Sequence, residues 1–149
     1  MVIINSFEEY KAYLGLQIGE SGWHKIDQKQ VNDSNQAIHA GISGGSEEKL
    51  IDEAKSQVAD SYLTISLIPY LWKQIADIRE VKMEVNYGIE NFRFNQKVSA
   101  GGNVRLRAKL ISISDLRGIT KVVIQADLDI EGYTETAYTG NVIFLYHFK

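Results

Sequence analysis

The 149-residue sequence contains no cysteine, a single proline and no block of lysine or arginine. The missing thiols exclude disulfides, thiolate metal ligands and cysteine nucleophiles, and their absence agrees with a reducing, cytoplasmic location. A formal net charge of -3 without a basic block leaves no electrostatic footprint for a nucleic-acid backbone. We therefore expect no nucleic-acid partner.

Long hydrophobic runs are also missing. No apolar stretch approaches the roughly 20 residues that span a bilayer, and residues 1–15 lack a basic region followed by an apolar one. Hydrophobic residues make up 44% of the chain and charged residues 23%, which is ordinary for a globular domain. With no linker or internal repeat in sight, we predict one domain over residues 1–149 with no membrane partner.

Three segments carry helical signals. Ser6 and Glu9 form a capping box for a short first helix, and the spacing of residues 27–30 predicts a second helix that fades quickly. Residues 58–75 are apolar nearly all round, which predicts a buried central helix. Pro69 lies inside this helix and removes one backbone donor, so we expect a kink there.

The chain after residue 80 alternates apolar and polar residues, as half-buried strands do. The inward positions include Val81, Met83 and Val85; Phe92 and Phe94; Val104, Leu106, Ala108 and Leu110; Val122, Ile124, Ala126, Leu128 and Ile130; Val142, Phe144, Tyr146 and Phe148. Turns fit at Gly88, residues 101–102, residues 115–118 and Gly132. A buried helix followed by antiparallel strands predicts an α+β fold with a sheet curled around a central helix.

The sequence resembles the MaoC-like dehydratases, in particular the branch related to nodulation protein N. Residues 6–28, 59–72 and 86–148 carry the resemblance, most specifically in residues 21–28, 62–69 and 86–94. The resemblance implies a dimeric hot-dog fold, an acyl-CoA thioester site near the subunit interface and reversible hydration of a trans-2-enoyl thioester. It implies no metal and no redox cofactor, with coenzyme A present only as part of the thioester substrate.

The same resemblance indicates the catalytic residues. The family uses an Asp and a His five positions later to hold one water, because an acid and a base must contact the same molecule. Here Gln36 and His39 match that pattern, Ser34 stands at the Asp position, and Asp33 is one residue early. We predict His39 and Asp33 as the catalytic pair.

The start of the buried helix is the second predicted part of the site. In the family a backbone N–H at this place polarises the thioester carbonyl, aided by the helix dipole. Family members usually have Ala-His-Gly before this point, whereas this chain has Ala59, Asp60 and Ser61. By resemblance, Ser61 and Tyr62 are the predicted substrate-binding residues.

Structural interpretations of the same residues stay open. In a second alignment residues 32–43 are a diverged helix and His39 has no catalytic counterpart, while Asp33 is a turn or cap residue and Asp60 caps the buried helix. His24 and His147 are interpreted as structural. Three arginines, Arg93, Arg105 and Arg107, either meet the phosphates of coenzyme A or lie on a solvated strand face.

Two classes of function follow. The first is an R-specific enoyl-CoA hydratase or related acyl-CoA dehydratase, and the alternative is a non-catalytic acyl-thioester-binding or structural hot-dog dimer. A thioesterase is a third hypothesis, since hot-dog folds also host that reaction, but fold alone does not assign chemistry. In each case a homodimer is expected, because the open edges of a short sheet favour pairing across a two-fold axis.

Overall fold

A computed structural model describes residues 1–39 and 57–149 of the chain. The described elements are β1 (Val2–Ile4), α1 (Phe7–Lys11), β2 (Gln17–Glu20), β3 (His24–Lys25), α2 (Gln28–His39), α3 (Ser61–Ser66), α4 (Ile68–Ile75), β4 (Ala76–Ile78), β5 (Val81–Phe94), β6 (Asn103–Leu116), β7 (Ile119–Ile130) and β8 (Tyr138–Phe148).

The main sheet has six strands and is antiparallel throughout. Its order is β2-β6-β7-β8-β5, and β3 pairs with the first residues of β6, next to the part that pairs with β2. Strands β1 and β4 form a separate parallel pair. Strand β5 therefore forms one edge of the main sheet, and β2 and β3 together form the other.

The core lies between the inner face of this sheet and helices α3 and α4. Leu71 and Ile75 from α4 are buried against sheet residues such as Leu106 and Leu128. This arrangement, with a helix packed against an antiparallel sheet that does not close into a barrel, confirms the predicted α+β hot-dog fold.

The central helix is interrupted, and it begins later than predicted. Asp60 caps α3 by accepting a hydrogen bond from the Tyr62 N–H, while Val58 forms a β-bridge with Ser99. The helix is interrupted at Leu67, and Pro69 lies in the first turn of α4, where the missing N–H would have no helical acceptor. The predicted kink is thus a junction between two helices.

Helix α2 is longer than predicted. Asp27 Oδ1 accepts a hydrogen bond from the Gln30 N–H at 2.8 Å, which is the expected capping geometry. The helix then continues to His39, with Val31 and Asn35 buried one turn apart. The expectation that it fades quickly was wrong.

Strand β5 is one continuous strand, so the predicted turn at Gly88 was wrong. The register against β8 shifts between Asn86 and Gly88 and again between Glu90 and Arg93, and such bulges accommodate a glycine without ending a strand. The turn predicted at residues 115–118 is confirmed. Arg117 and Gly118 both have positive φ, as the two-residue hairpin between β6 and β7 requires.

Gly140 in β8 is a position where no side chain fits. A Cβ built there would overlap the Phe92 ring, which packs over the strand against Tyr138. We expect Gly140→Ala to lower the free energy of unfolding by about 1 to 3 kcal/mol, because the ring must leave its place. Urea denaturation measures this effect, and Gly88→Ala is the control, since a Cβ added at that strand glycine would meet only Ile143 Cδ1 at 3.8 Å, an ordinary van der Waals contact. Wild-type stability in Gly140→Ala would contradict the packing.

Candidate active site

An open groove of about 440 Å³ runs beside α2 and reaches the first turn of α3. Its lining includes His24, Asp27, Gln30, Asp33, Ser34 and Leu63. The groove therefore brings together β3, the first half of α2 and the start of the central helix pair. Asp33, which was predicted to be catalytic, and Ser34, which stands at the family's Asp position, both line this groove.

Asp33 is exposed and already has a cationic partner. Its carboxylate pairs with Lys29 one turn earlier on α2, and its side chain is 58% exposed. The i, i+4 pair is of a kind that contributes only a few tenths of a kcal/mol to a helix. Ser34 follows on the next face of the helix, half-buried, about 100° around the axis.

His39 is the last residue of α2, and its side chain lies outside what the structure describes. The backbone alone constrains the predicted pair. Over six residues, a continuous helix separates Asp33 from His39 by about 9 Å along the axis and about 120° around it. This separation disfavours a water shared directly by Asp33 and His39, and the catalytic role of each remains a prediction.

The start of α3 carries the other two predicted residues. The Tyr62 N–H is 2.7 Å from Asp60 Oδ1, so its hydrogen is directed to the capping carboxylate. The Tyr62 side chain is 75% exposed, whereas the next residue, Leu63, is buried and lines the groove. Asp60 thus acts as the helix cap, which was one interpretation of the sequence.

His24 was interpreted as structural, yet it lies on the groove. Its Nε2 is 3.0 Å from Gln30 Oε1, and its ring meets the Tyr70 ring edge to face at a centroid distance of 5.6 Å. Sequence reasoning missed this position, because residue 24 approaches α2 and α4 only after β3 has paired with β6. The local sign of its direction was buried Ile26, two residues later, because residues i and i+2 of an extended segment lie on the same face.

Aromatic side chains line the inner face of the sheet next to α3. Tyr138, fully buried, donates its hydroxyl hydrogen to the Thr64 carbonyl at 3.1 Å, and burial raises the pKa of this phenol far above its usual value. The hydroxyl therefore remains a donor at all physiological pH. Phe92 and Phe94 pack on Tyr138, and Phe94 stays 49% exposed.

Two of the three arginines considered for phosphate binding have carboxylate partners. Arg107 donates two hydrogen bonds of 2.9 Å to the Asp129 carboxylate. Arg105 forms an ion pair with the same carboxylate, and its guanidinium carbon lies 4.5 Å from the centre of the Trp23 ring. Burial opposes ionisation of Asp129, but the two guanidinium groups outweigh it and hold its pKa below the usual value. Both guanidinium groups are thus engaged by a carboxylate, which favours the interpretation of a solvated strand face.

Comparisons with known proteins relate the whole chain to two groups of curated proteins, although no family model matches it. The chain is 28% identical over 149 residues to 3-hydroxyacyl-thioester dehydratase Z of Mycobacterium tuberculosis, covering 98% of this chain and 99% of that protein. It is 27% identical over 152 residues to nodulation protein N of Rhizobium leguminosarum bv. viciae, covering 96% and 92%.

Solved structures share the fold at lower sequence identity. A monoamine oxidase regulatory protein from Archaeoglobus superposes with a TM-score of 0.74 at 15% identity, covering 99% of this chain and 97% of that one. A MaoC-like dehydratase from Rhodospirillum rubrum gives 0.62 at 12% identity, covering 91% and 93%.

These similarities show the hot-dog fold and relate the chain to MaoC-like dehydratases. Among its relatives are the mycobacterial dehydratase and nodulation protein N, so the resemblance in residues 6–28, 59–72 and 86–148 is confirmed. No helix in the described ranges has the length and apolar character needed to cross a membrane.

Proposed function

We propose that this protein is a MaoC-like acyl-thioester hydratase, interconverting a trans-2-enoyl thioester and its 3-hydroxyacyl form. The observation that carries the proposal is the end-to-end similarity to 3-hydroxyacyl-thioester dehydratase Z, at 28% identity with 98% and 99% coverage. The groove beside α2 agrees with it. It places polar side chains from β3 and α2 next to the start of α3, where a polarised carbonyl would be stabilised.

The chemistry requires few parts. Water loses a proton as its oxygen bonds to C3, and C2 gains one, so acid and base groups must flank one water molecule. By resemblance, His39 and the α2 segment with Asp33 supply these groups, and the α3 start at Ser61 and Tyr62 receives the thioester carbonyl, for which the Tyr62 N–H must leave its hydrogen bond to Asp60. Coenzyme A takes part only as the carrier of the acyl group.

Hydration of crotonyl-CoA tests the proposal. Consumption of the enoyl thioester is expected, but far more slowly than with a family member that has the Asp and His pair, because Ser34 stands at the Asp position. Rates unchanged by EDTA are also expected, since the proposed reaction uses no metal or redox cofactor. Tight acyl-CoA binding without any hydration would replace this proposal by the non-catalytic acyl-thioester binder.

We also propose that the protein is a cytoplasmic homodimer formed along β5. This edge strand leaves Tyr87, Ile89 and Phe94 about half exposed or more, and its outer backbone groups have no strand partner among the described residues. An open edge of this kind is protected when a second copy pairs with it.

Light scattering at micromolar concentration tests the dimer. The wild type is expected to have twice the monomer mass, and Ile89→Lys is expected to shift the equilibrium toward monomer, because it places a charge on the apolar edge. Lys109→Glu changes an exposed charge on β6, inside the sheet, and serves as the control. A wild-type mass of one chain at all concentrations would contradict this assembly.

A further inference from the structure

We propose that His24 supplies the acid-base group that Ser34 does not provide, so that an imidazole on β3 replaces the family's carboxylate on α2. The inference rests on the proposed hydration and adds a residue to which the sequence resemblance assigns no catalytic role. Its basis is a juxtaposition in space: His24 and Ser34 line the same groove, although they lie on different elements.

The contacts of His24 hold its ring in one orientation. Gln30 Oε1 accepts from Nε2 at 3.0 Å, and the Tyr70 ring fixes the plane of the imidazole from the side of α4. With a hydrogen on Nε2, the neutral ring has its lone pair on Nδ1. His24 is therefore placed as a base with a defined basic nitrogen.

The carboxylates on the groove are already engaged. Asp27 accepts the Gln30 N–H as the cap of α2, and Asp33 pairs with Lys29. If Asp27 bound the reacting water instead of the Gln30 N–H, the cap of α2 would be lost, and if Asp33 bound it instead of Lys29, the ion pair would be lost. Among the described groove residues, His24 is the side chain whose ordinary chemistry exchanges a proton near neutral pH.

The proposed step balances with one water and one enoyl thioester. Nδ1 of His24 takes a proton from water as the oxygen bonds to C3, and the resulting imidazolium returns a proton to C2 of the enolate. One hydroxyl and one hydrogen add across the double bond, and His24 ends neutral. The reverse sequence removes water from the 3-hydroxyacyl thioester.

The experiment compares turnover of crotonyl-CoA by the wild type, His24→Gln and His147→Gln. We expect His24→Gln to lower kcat on the order of 10²-fold with little change in KM, because one positioned acid-base group contributes about that much. His147→Gln changes the other histidine whose side chain the structure describes, on β8, and is expected to retain wild-type turnover. Thermal denaturation of each variant checks that the fold is kept.

Two further readouts separate a chemical role from a structural one. In the Ser34→Asp background the loss caused by His24→Gln should shrink, because the new carboxylate takes over the proton transfer. The pH profile of turnover should also differ between the wild type and His24→Gln, because the substitution removes the imidazole that shares the groove with Lys25, Asp27, Lys29 and Asp33 and lies against the Tyr70 ring.

The outcomes distinguish this proposal from the one on which it rests. An active wild type whose turnover and pH profile survive His24→Gln overturns the role of His24 alone and leaves the hydratase standing. A wild type without hydration of enoyl thioesters overturns both.

Discussion

Ser34→Asp is expected to raise the hydration of crotonyl-CoA by on the order of 10²-fold, the lower end of what one acid-base group contributes. The substitution restores the family's sequence spacing of Asp and His, but on the continuous helix α2 positions 34 and 39 lie about 140° apart around the axis, so the expected gain comes from the new carboxylate on the groove. Ser34 is half-buried on the groove, so the new carboxylate would face it, whereas Asp33 is exposed and paired with Lys29. Steady-state rates at saturating substrate measure the effect.

His39→Ala provides the other half of this prediction. If His39 aligns with the family's catalytic histidine, its removal should abolish the gain of Ser34→Asp and whatever turnover the wild type has. Ala37→Asp is the matched control for the added carboxylate, because position 37 is exposed on α2 and does not line the groove, so this change should alter the rate little. Robust turnover that persists in His39→Ala would refute the alignment of residues 33–39 with the family pattern.

Leu67→Ala is expected to lower the free energy of unfolding by about 2 to 5 kcal/mol, the usual range for a buried leucine truncated to alanine. Leu67 is 6% exposed and lies at the junction of α3 and α4. Its carbonyl also accepts the Leu71 N–H at 2.9 Å, the first hydrogen bond across the junction. A cavity at this point loosens both helices.

Urea denaturation measures the loss, with Lys109→Ala as the control. Lys109 is exposed on β6, so its truncation should leave the midpoint almost unchanged. Arg107 is a poorer control, since it holds Asp129 through two hydrogen bonds. Equal midpoints for Leu67→Ala and Lys109→Ala would show that the helix junction is not part of the core.

The fold was largely predictable because its strands alternate and its hairpin uses a favoured turn. The Arg117 and Gly118 turn lies where residues 115–118 predicted it, between strands whose apolar residues face one core. The errors have local causes. Gly88 marked a bulge instead of a turn, and α2 has a polar residue, Asn35, at a buried position where an apolar repeat was sought.

The candidate site was less predictable, because it depends on contacts between distant segments. Residues 33–39, which carry the predicted pattern, lie on α2, but the direction of Asp33 followed only once α2 was seen to be continuous. The approach of His24 to Gln30 and Tyr70 depends on the pairing of β3 with β6. No local spacing encodes that pairing, so the histidine on β3 could not be assigned from sequence.

The pairing of β5 with β8 sets an order of assembly. Its register runs from Val81 opposite Phe148 to Phe94 opposite Tyr138, so the β6 and β7 hairpin lies within the loop that this pairing closes. Closing a long loop costs more entropy than closing a two-residue turn, and the hairpin should form first. Amide hydrogens of β6 and β7 should therefore exchange with solvent most slowly. Those of β5 should exchange fastest, because this edge strand can open before the whole molecule unfolds.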